Sequence, residues 1–245
     1  MAGSAASQVT DELRKEFAPT GELRAGINYG NVVHSQRDPA GGAPKGAAPD
    51  IARELAKRLG MPIRYVTYES AGKMTDALKE NAWDIAFLAV DPKRAQEIAF
   101  TKPFFEIEGA YLVKEDSTFK AASEVDREGI RIAAGRGSAY DLFLSRELKH
   151  AKLVHTTQVP ESMQALVDGR ADVVAGVKQA LQAQVKPGLR MLDGNFMVIR
   201  QAAGLPQGRP NAARYLSELI EELKASGFVR AAFDASGQKD VTVPK

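Results

Sequence analysis

The ten residues Ala77-Leu78-Lys79-Glu80-Asn81-Ala82-Trp83-Asp84-Ile85-Ala86 are echoed 88 positions later by Ala165-Leu166-Val167-Asp168-Gly169-Arg170-Ala171-Asp172-Val173-Val174. In each copy a helix end passes through a short turn to an Asp, and that Asp opens an apolar run of strand composition. Such internal similarity restricts the chain to two similar α/β units facing one another.

The pattern around each copy supports this division. Strands are predicted over 23–27, 63–67 and 84–90, alternating with helices over 50–60 and 73–81. Asp50 reads as the N-cap of the first helix, Ile51, Leu55 and Leu59 as its apolar face, and Gly60 as its left-handed stop. The alternation restarts with strands over 129–134, 152–156 and 172–176 and helices over 138–149 and 161–168. Repeated βαβ units imply a largely parallel sheet in each half. The extended segments 108–114 and 196–201 flank the second set and read as paired crossover strands, so the tail, with helices over 215–224 and 227–233, returns to the first half. The expected fold class is α/β: two similar doubly wound lobes joined by two crossover strands. The expected boundaries are 20–109 with 199–245 for lobe 1, 110–198 for lobe 2, and 1–19 as an N-terminal extension.

Composition removes several classes of function. A chain of 245 residues that is 44% hydrophobic can bury substantial cores. A net charge of +2, dispersed along the chain, gives no reason to expect a nucleic-acid partner. No apolar run approaches the roughly 18 residues that cross a bilayer. The absence of cysteine excludes disulfides, thiolate metal sites and Cys nucleophiles, and His34, His150 and His155 are scattered without metal-ligand spacing. Neither a metal nor a cofactor is expected. Residues 1–7 lack the basic and apolar regions of a signal peptide, so export requires that a signal was removed ahead of them.

The stretch from Asp84 to Phe104, DIAFLAVDPKRAQEIAFTKPF, resembles the extracellular solute-binding proteins of the polar amino acid type, family 3. That family shows a buried strand, a turn ending in a single Arg, and then a segment like DF-S-x-PY. Segments 46–50, 77–85, 135–140 and 223–227 fall in the family's order, so the resemblance spans about residues 20 to 235. It implies a type II periplasmic-binding fold, with a small anionic, carboxylate-bearing metabolite held between two lobes. It also implies a periplasmic location, a monomer, and delivery to the membrane permease of an ABC importer. The family also includes dehydratases, and receptor sensor domains share its fold. A cleft enzyme of that kind and a sensor domain are therefore the rival readings.

The resemblance assigns Arg94 to the ligand carboxylate, through the planar fork that Lys lacks. Read locally, Arg94 is a surface cation at a helix start, as Lys93 and Arg136 are also taken to be. Gly137, Ser138, Ala139 and Tyr140 connect a strand to a helix, where backbone N–H groups approach an anion; the alternative is that Ser138 merely caps its own helix. Asn28, Tyr29 and Asn31 lie at a strand's carboxyl end, as ligand contacts or as plain turn chemistry. Phe87 and Ala89 are expected to face the ligand in the strand before Arg94, and Gly176 and Lys178, with Gln179, from the second lobe. Members that bind α-amino acids usually carry Ser or Thr where this chain has Ala86, Phe87 and Ala89. They also place an Asp after the strand that Asp172 opens, and residues 173–179 contain no carboxylate. An ammonium buried there would be unpaired, which is costly, so the ligand is predicted to be an acid without that amine. Asp91 and Glu69 read as solvated surface charges.

Overall fold

The structure is a computed structural model that describes residues 9–244. The first eight residues of the expected N-terminal extension lie outside the described residues. Residues 11–17 of that extension form helix α1 (Asp11–Phe17), which packs Phe17 into the core against Tyr215, with ring centroids 5.9 Å apart.

The first set of elements comprises β1 (Leu23–Asn28), α2 (Ala47–Leu59), β2 (Ile63–Tyr68), α3 (Ala71–Asp76) and β3 (Ile85–Ala89). Helix α2 begins earlier than predicted, with Gly46 as N-cap and Asp50 inside the first turn paired to Arg53. Pro49 is tolerated there because the first N–H groups of a helix have no intrahelical acceptor. Gly60 ends α2 in the left-handed conformation, as its position predicts. The predicted helix over 73–81 is instead α3, capped by Ser70, followed by a 3₁₀ turn (Ala77–Glu80) that stops at left-handed Asn81.

The chain then enters β4 (Ile98–Lys114), much longer than the segment predicted because it starts ten residues earlier and absorbs Pro103 at an irregularity in its pairing. The second set follows: β5 (Arg131–Gly135), α4 (Ala139–Glu147), β6 (Lys152–Thr156), α5 (Val159–Val167), β7 (Val173–Val177), α6 (Lys178–Gln182) and β8 (Leu189–Met191). Strand β9 (Met197–Pro206) leads to α7 (Pro210–Ala225) and α8 (Phe228–Ala235).

The strand order is β2-β1-β3-β9-β4-β7-β5-β6, with β8 on β4. Two parallel three-stranded units, β2-β1-β3 and β7-β5-β6, thus flank a central antiparallel pair. β4 pairs with β9 as far as Gly109 opposite Met197, and from Gly109 onward it pairs with β7. One strand therefore serves both halves of the sheet. Residues of β1 and β3 are buried throughout, as befits parallel strands covered on both faces, which explains their lack of polar alternation.

The echoed Asp residues have the same job in each half. Asp84 Oδ2 accepts from the backbone N–H of Arg24 (3.0 Å) and from its Nε (2.9 Å), while Oδ1 accepts from Nη2 (2.7 Å). Asp172 repeats this with Arg131, at 2.9, 3.0 and 2.8 Å. Each carboxylate ties the start of its strand to the start of the neighbouring parallel strand. The sequence repeat is thus a repeat of strand alignment.

Candidate functional site

A cavity of about 340 Å³ lies where the two half-sheets meet. That is near the lower end of small-molecule pockets, which run from roughly 300 to 1,000 Å³. Its wall comes from just beyond the carboxyl ends of all six parallel strands: residues 29–32 after β1, 69–71 after β2, Arg94 after β3, 136 and 138–140 after β5, 157–160 after β6, and Ala180, Ala183 and Gln184 after β7. Strand-end residues Asn28, Leu88, Ala89, Gly135 and Val177, with Ile199 and Gln201 of β9, complete it. Ligands of open α/β sheets bind at these strand ends, where backbone amides and helix N-termini converge.

Arg94 is buried to 2% of its surface and has no carboxylate within ion-pair distance among the described residues. Its Nη1 donates to the Ala89 carbonyl at 2.9 Å and its Nη2 to the Gly137 carbonyl at 2.8 Å, whereas Nε has no acceptor. Burial lowers its pKa to about 10, opposed by the charge of Asp91. Asp91 does not neutralise it directly, because its Oδ2 accepts from Arg146 Nη1 at 2.7 Å and its Oδ1 from the Lys93 N–H at 2.9 Å. The prediction of a solvated Asp91 is corrected: it is 3% exposed and bridges to α4 of the other half-sheet.

The turn after β5 is used in a mixed way. Ser138 Oγ accepts from the Asp141 N–H at 3.0 Å, so it is the N-cap of α4, and Asp141 Oδ2 accepts from the Gly137 N–H at 2.7 Å. Those two donors are committed to the fold. The N–H groups of Ala139 and Tyr140, in the first turn of α4, have no backbone acceptor among the described residues, and both residues line the cavity. Burial pushes the Tyr140 phenol pKa up, with a hydrogen bond from Ser138 opposing it.

On the facing side, Asn28 Oδ1 accepts from the Gly30 N–H at 2.9 Å and Asn31 Oδ1 from the Val33 N–H at 3.3 Å, which is turn chemistry on the cavity wall. Arg37 lies over the Tyr29 ring at 4.2 Å and pairs with Glu69, the one carboxylate among the described wall residues.

Of the residues singled out in the sequence, Asn28, Tyr29, Asn31, Ala89, Arg94, Ser138, Ala139 and Tyr140 are on the wall. Four are not. Phe87 is fully buried in the core, edge-on to Phe104 at 5.9 Å, because it lies in mid-strand, short of the strand end where the cavity opens. Gly176 packs against Leu181, and Gly137 contributes its carbonyl to Arg94. Lys178 pairs with Glu108 at 2.6 Å, on the crossover strand. Val177, one residue earlier, takes the wall position. Sequence reasoning missed Arg37, Arg136, Gln201 and the 157–160 loop. The strand-end rule, applied to β6 as it was to β1, points to the loop; no local signal marks the others.

The two sides touch. A Cβ on Gly72, at the start of α3, would sit 2.6 Å from the Arg136 carbonyl oxygen, and one on Gly137 would sit 2.8 Å from the Gly72 Cα. With Arg94–Gly137 and Asp91–Arg146, these contacts make the described conformation a closed one. No cluster of three metal-ligating side chains occurs among the described residues, and none of their helices is long and apolar enough to cross a membrane.

Comparison with known proteins agrees with this architecture. Residues 23–235 match the model of the bacterial extracellular solute-binding proteins, family 3. The cysteine-binding protein of Campylobacter jejuni superposes with a TM-score of 0.77 at 22% identity, over 96% of this chain and 100% of the other. A cyclohexadienyl dehydratase of Pseudomonas aeruginosa is 25% identical over 237 residues, covering 93% of this chain and 87% of its own. A glutamine-binding protein of Geobacillus stearothermophilus is 22% identical over 200 residues, covering 79% and 74%. The topology is that of a type II periplasmic binding protein, and the chain belongs to the bacterial extracellular solute-binding proteins, family 3.

Proposed function

We propose that the protein captures a small carboxylate-bearing metabolite between its two lobes, without chemical turnover, and presents it to the permease of an ABC importer. The observation that carries this reading is the buried Arg94 guanidinium, which has no counter-ion among the described residues. The effective penalty for an ion in a protein interior is several kcal/mol, and hydrogen bonds from a charged donor to carbonyls, at about 1.5–3 kcal/mol each, offset part of it. A ligand carboxylate beside Arg94 and the free N–H groups of Ala139 and Tyr140 would supply the missing charge.

Closure follows from where these groups sit. Arg94 belongs to the β2-β1-β3 half and the α4 N-terminus to the other, joined by the crossover strands β4 and β9. A ligand bound to the first half gains the α4 contacts only after the lobes rotate together about β4 and β9, and only that gain favours the closed state. We take lobe 1 as 20–109 with 199–245 and lobe 2 as 110–198, acting as a monomer.

The amino-acid-binding relatives make an amino acid the first ligand to consider. Val177, Ala180 and Ala183 give the second lobe an apolar wall, and Glu69 is already paired with Arg37, so an acid without an α-ammonium group suits the cavity better. The dehydratase relative raises an enzymatic reading, but the wall's one described carboxylate is held in that ion pair and offers no free general acid or base.

A thermal-shift screen of amino acids, organic acids and aromatic acids, followed by mass spectrometry of each hit, tests the proposal. A carboxylate that raises the melting temperature and is recovered unchanged supports it. Stabilisation only by cations or neutral solutes, or conversion of the hit, contradicts it.

A further inference from the structure

Arg94 is one of two arginines that line the cavity, and the second, Arg136, is in the opposite state. Arg94 is buried, with both terminal nitrogens on backbone carbonyls. The Arg136 side chain is exposed and makes no ion pair or hydrogen bond among the described residues.

The Arg136 backbone is nevertheless fixed. Its N–H donates to the Thr156 carbonyl at 2.8 Å, and its own carbonyl is pressed against Gly72, leaving no room for a Cβ there. The side chain thus starts from a rigid point on the second half-sheet and remains open to a partner. The hydrogen bond from Arg94 to Gly137 places the head of Arg94 beside the residue that follows Arg136 in the chain. Glu69 does not balance this charge, since Arg37 already engages it.

The cavity therefore presents two cations from opposite half-sheets, and its wall carries no carboxylate to spare among the described residues. We propose that the ligand carries two anionic groups, a dicarboxylate in the simplest case, and that Arg136 is the specificity residue that receives the second. This rests on the carboxylate reading of Arg94. A planar guanidinium matches a carboxylate through two parallel hydrogen bonds, which a single point charge does not reproduce. A dianion spanning Arg94 and Arg136 also links the two lobes directly, so the second acid group contributes to closure as well as to affinity.

The test is calorimetric titration of the wild-type protein and Arg136→Gln with matched acids: butyrate against succinate, pentanoate against glutarate, and phenylpropanoate against its para-carboxylated analogue. In at least one pair the diacid is expected to bind about tenfold or more tightly than the monoacid, and Arg136→Gln is expected to erase that advantage. Because Arg136 is exposed, the unliganded melting temperature of the variant should match the wild type. A monoacid that binds as tightly as its diacid in every pair overturns the proposal, as does a diacid preference that survives the substitution. If monoacids bind without a diacid advantage, the carboxylate reading stands and only this inference fails. If no member of any pair binds, both fail.

Discussion

Arg94 Nη2 donates to the Gly137 carbonyl oxygen at 2.8 Å, so among the described residues this buried cation hydrogen-bonds across the cleft to the backbone of the opposing lobe and to no side chain there. The bond holds the lobes together and also occupies a donor that a ligand oxygen would use. Closure without ligand and binding of ligand therefore draw on the same group.

The glycine contact tests closure without touching the ligand. Gly72→Ala places a methyl group 2.6 Å from the Arg136 carbonyl in the closed form and nothing comparable once the lobes separate. The unliganded protein should scatter X-rays as a more extended particle. Affinity for any ligand found by screening should fall about tenfold, equivalent to about 1.4 kcal/mol of lost closure. Unchanged scattering and affinity would show that the lobes adjust without cost.

The Asp91–Arg146 pair also crosses the cleft. The Arg146 side chain is 41% exposed but that of Asp91 only 4%, so Arg146→Ala leaves a buried carboxylate without its 2.7 Å ion-pair partner and should cost the closed form about 1–3 kcal/mol. The variant should shift toward the open form and bind ligand about fivefold or more weakly. The effect should shrink as salt is added to the wild type. Fluorescence energy transfer between labels on the two lobes reads the shift directly.

The two echoed carboxylates should differ sharply in their stability effects. Asp84 is fully buried with Arg24 and Arg209, so Asp84→Ala leaves buried charge unpaired and should destabilise by about 3–5 kcal/mol. Asp172 and Arg131 are 34% and 42% exposed, and Asp172→Ala should cost about 1 kcal/mol. Hydrogen bonds from Arg131 hold the Asp172 carboxyl pKa below its usual value. Its contribution is therefore full above the unfolded carboxylate pKa of about 4 and fades as the pH falls through the lower folded value. Urea melts of both variants at neutral pH check the ranking.

His34 responds in the same direction but in a higher pH window. Burial beside Phe105 lowers its pKa from the ordinary 6.5 to about 3, so the folded state holds it neutral while the unfolded chain takes up a proton below about pH 6.5. Stability should fall on acidification from pH 7 to pH 5 by on the order of 1–2 kcal/mol from this group. His34→Gln should flatten that part of the profile, measured by urea melts across the range.

Much of the fold is legible in the sequence because apolar strand-like runs alternate with helices that carry apolar stripes, so segments such as 152–156 fall where the pattern puts them. The repeat is legible because Asp84 and Asp172 perform the same alignment task. The length of β4 is hidden, since Pro103 and the mixed residues from Ile98 onward look like a turn until β9 lies beside them. At the site, strand-end residues such as Asn28, Tyr29 and Ala139 are found by rule. The direction of Phe87, the pairing of Arg37 with Glu69 and the open state of Arg136 depend on neighbours distant in sequence, and no local pattern encodes them.

The most direct test is titration of Arg94→Gln with a carboxylate that binds the wild-type protein. At 100 times its dissociation constant that ligand stabilises the wild type by about 2.7 kcal/mol and raises its melting temperature accordingly. The variant should fold, melt without any ligand-dependent shift, and show no binding heat. Affinity within about threefold of wild type would contradict it and remove Arg94 from the centre of the site.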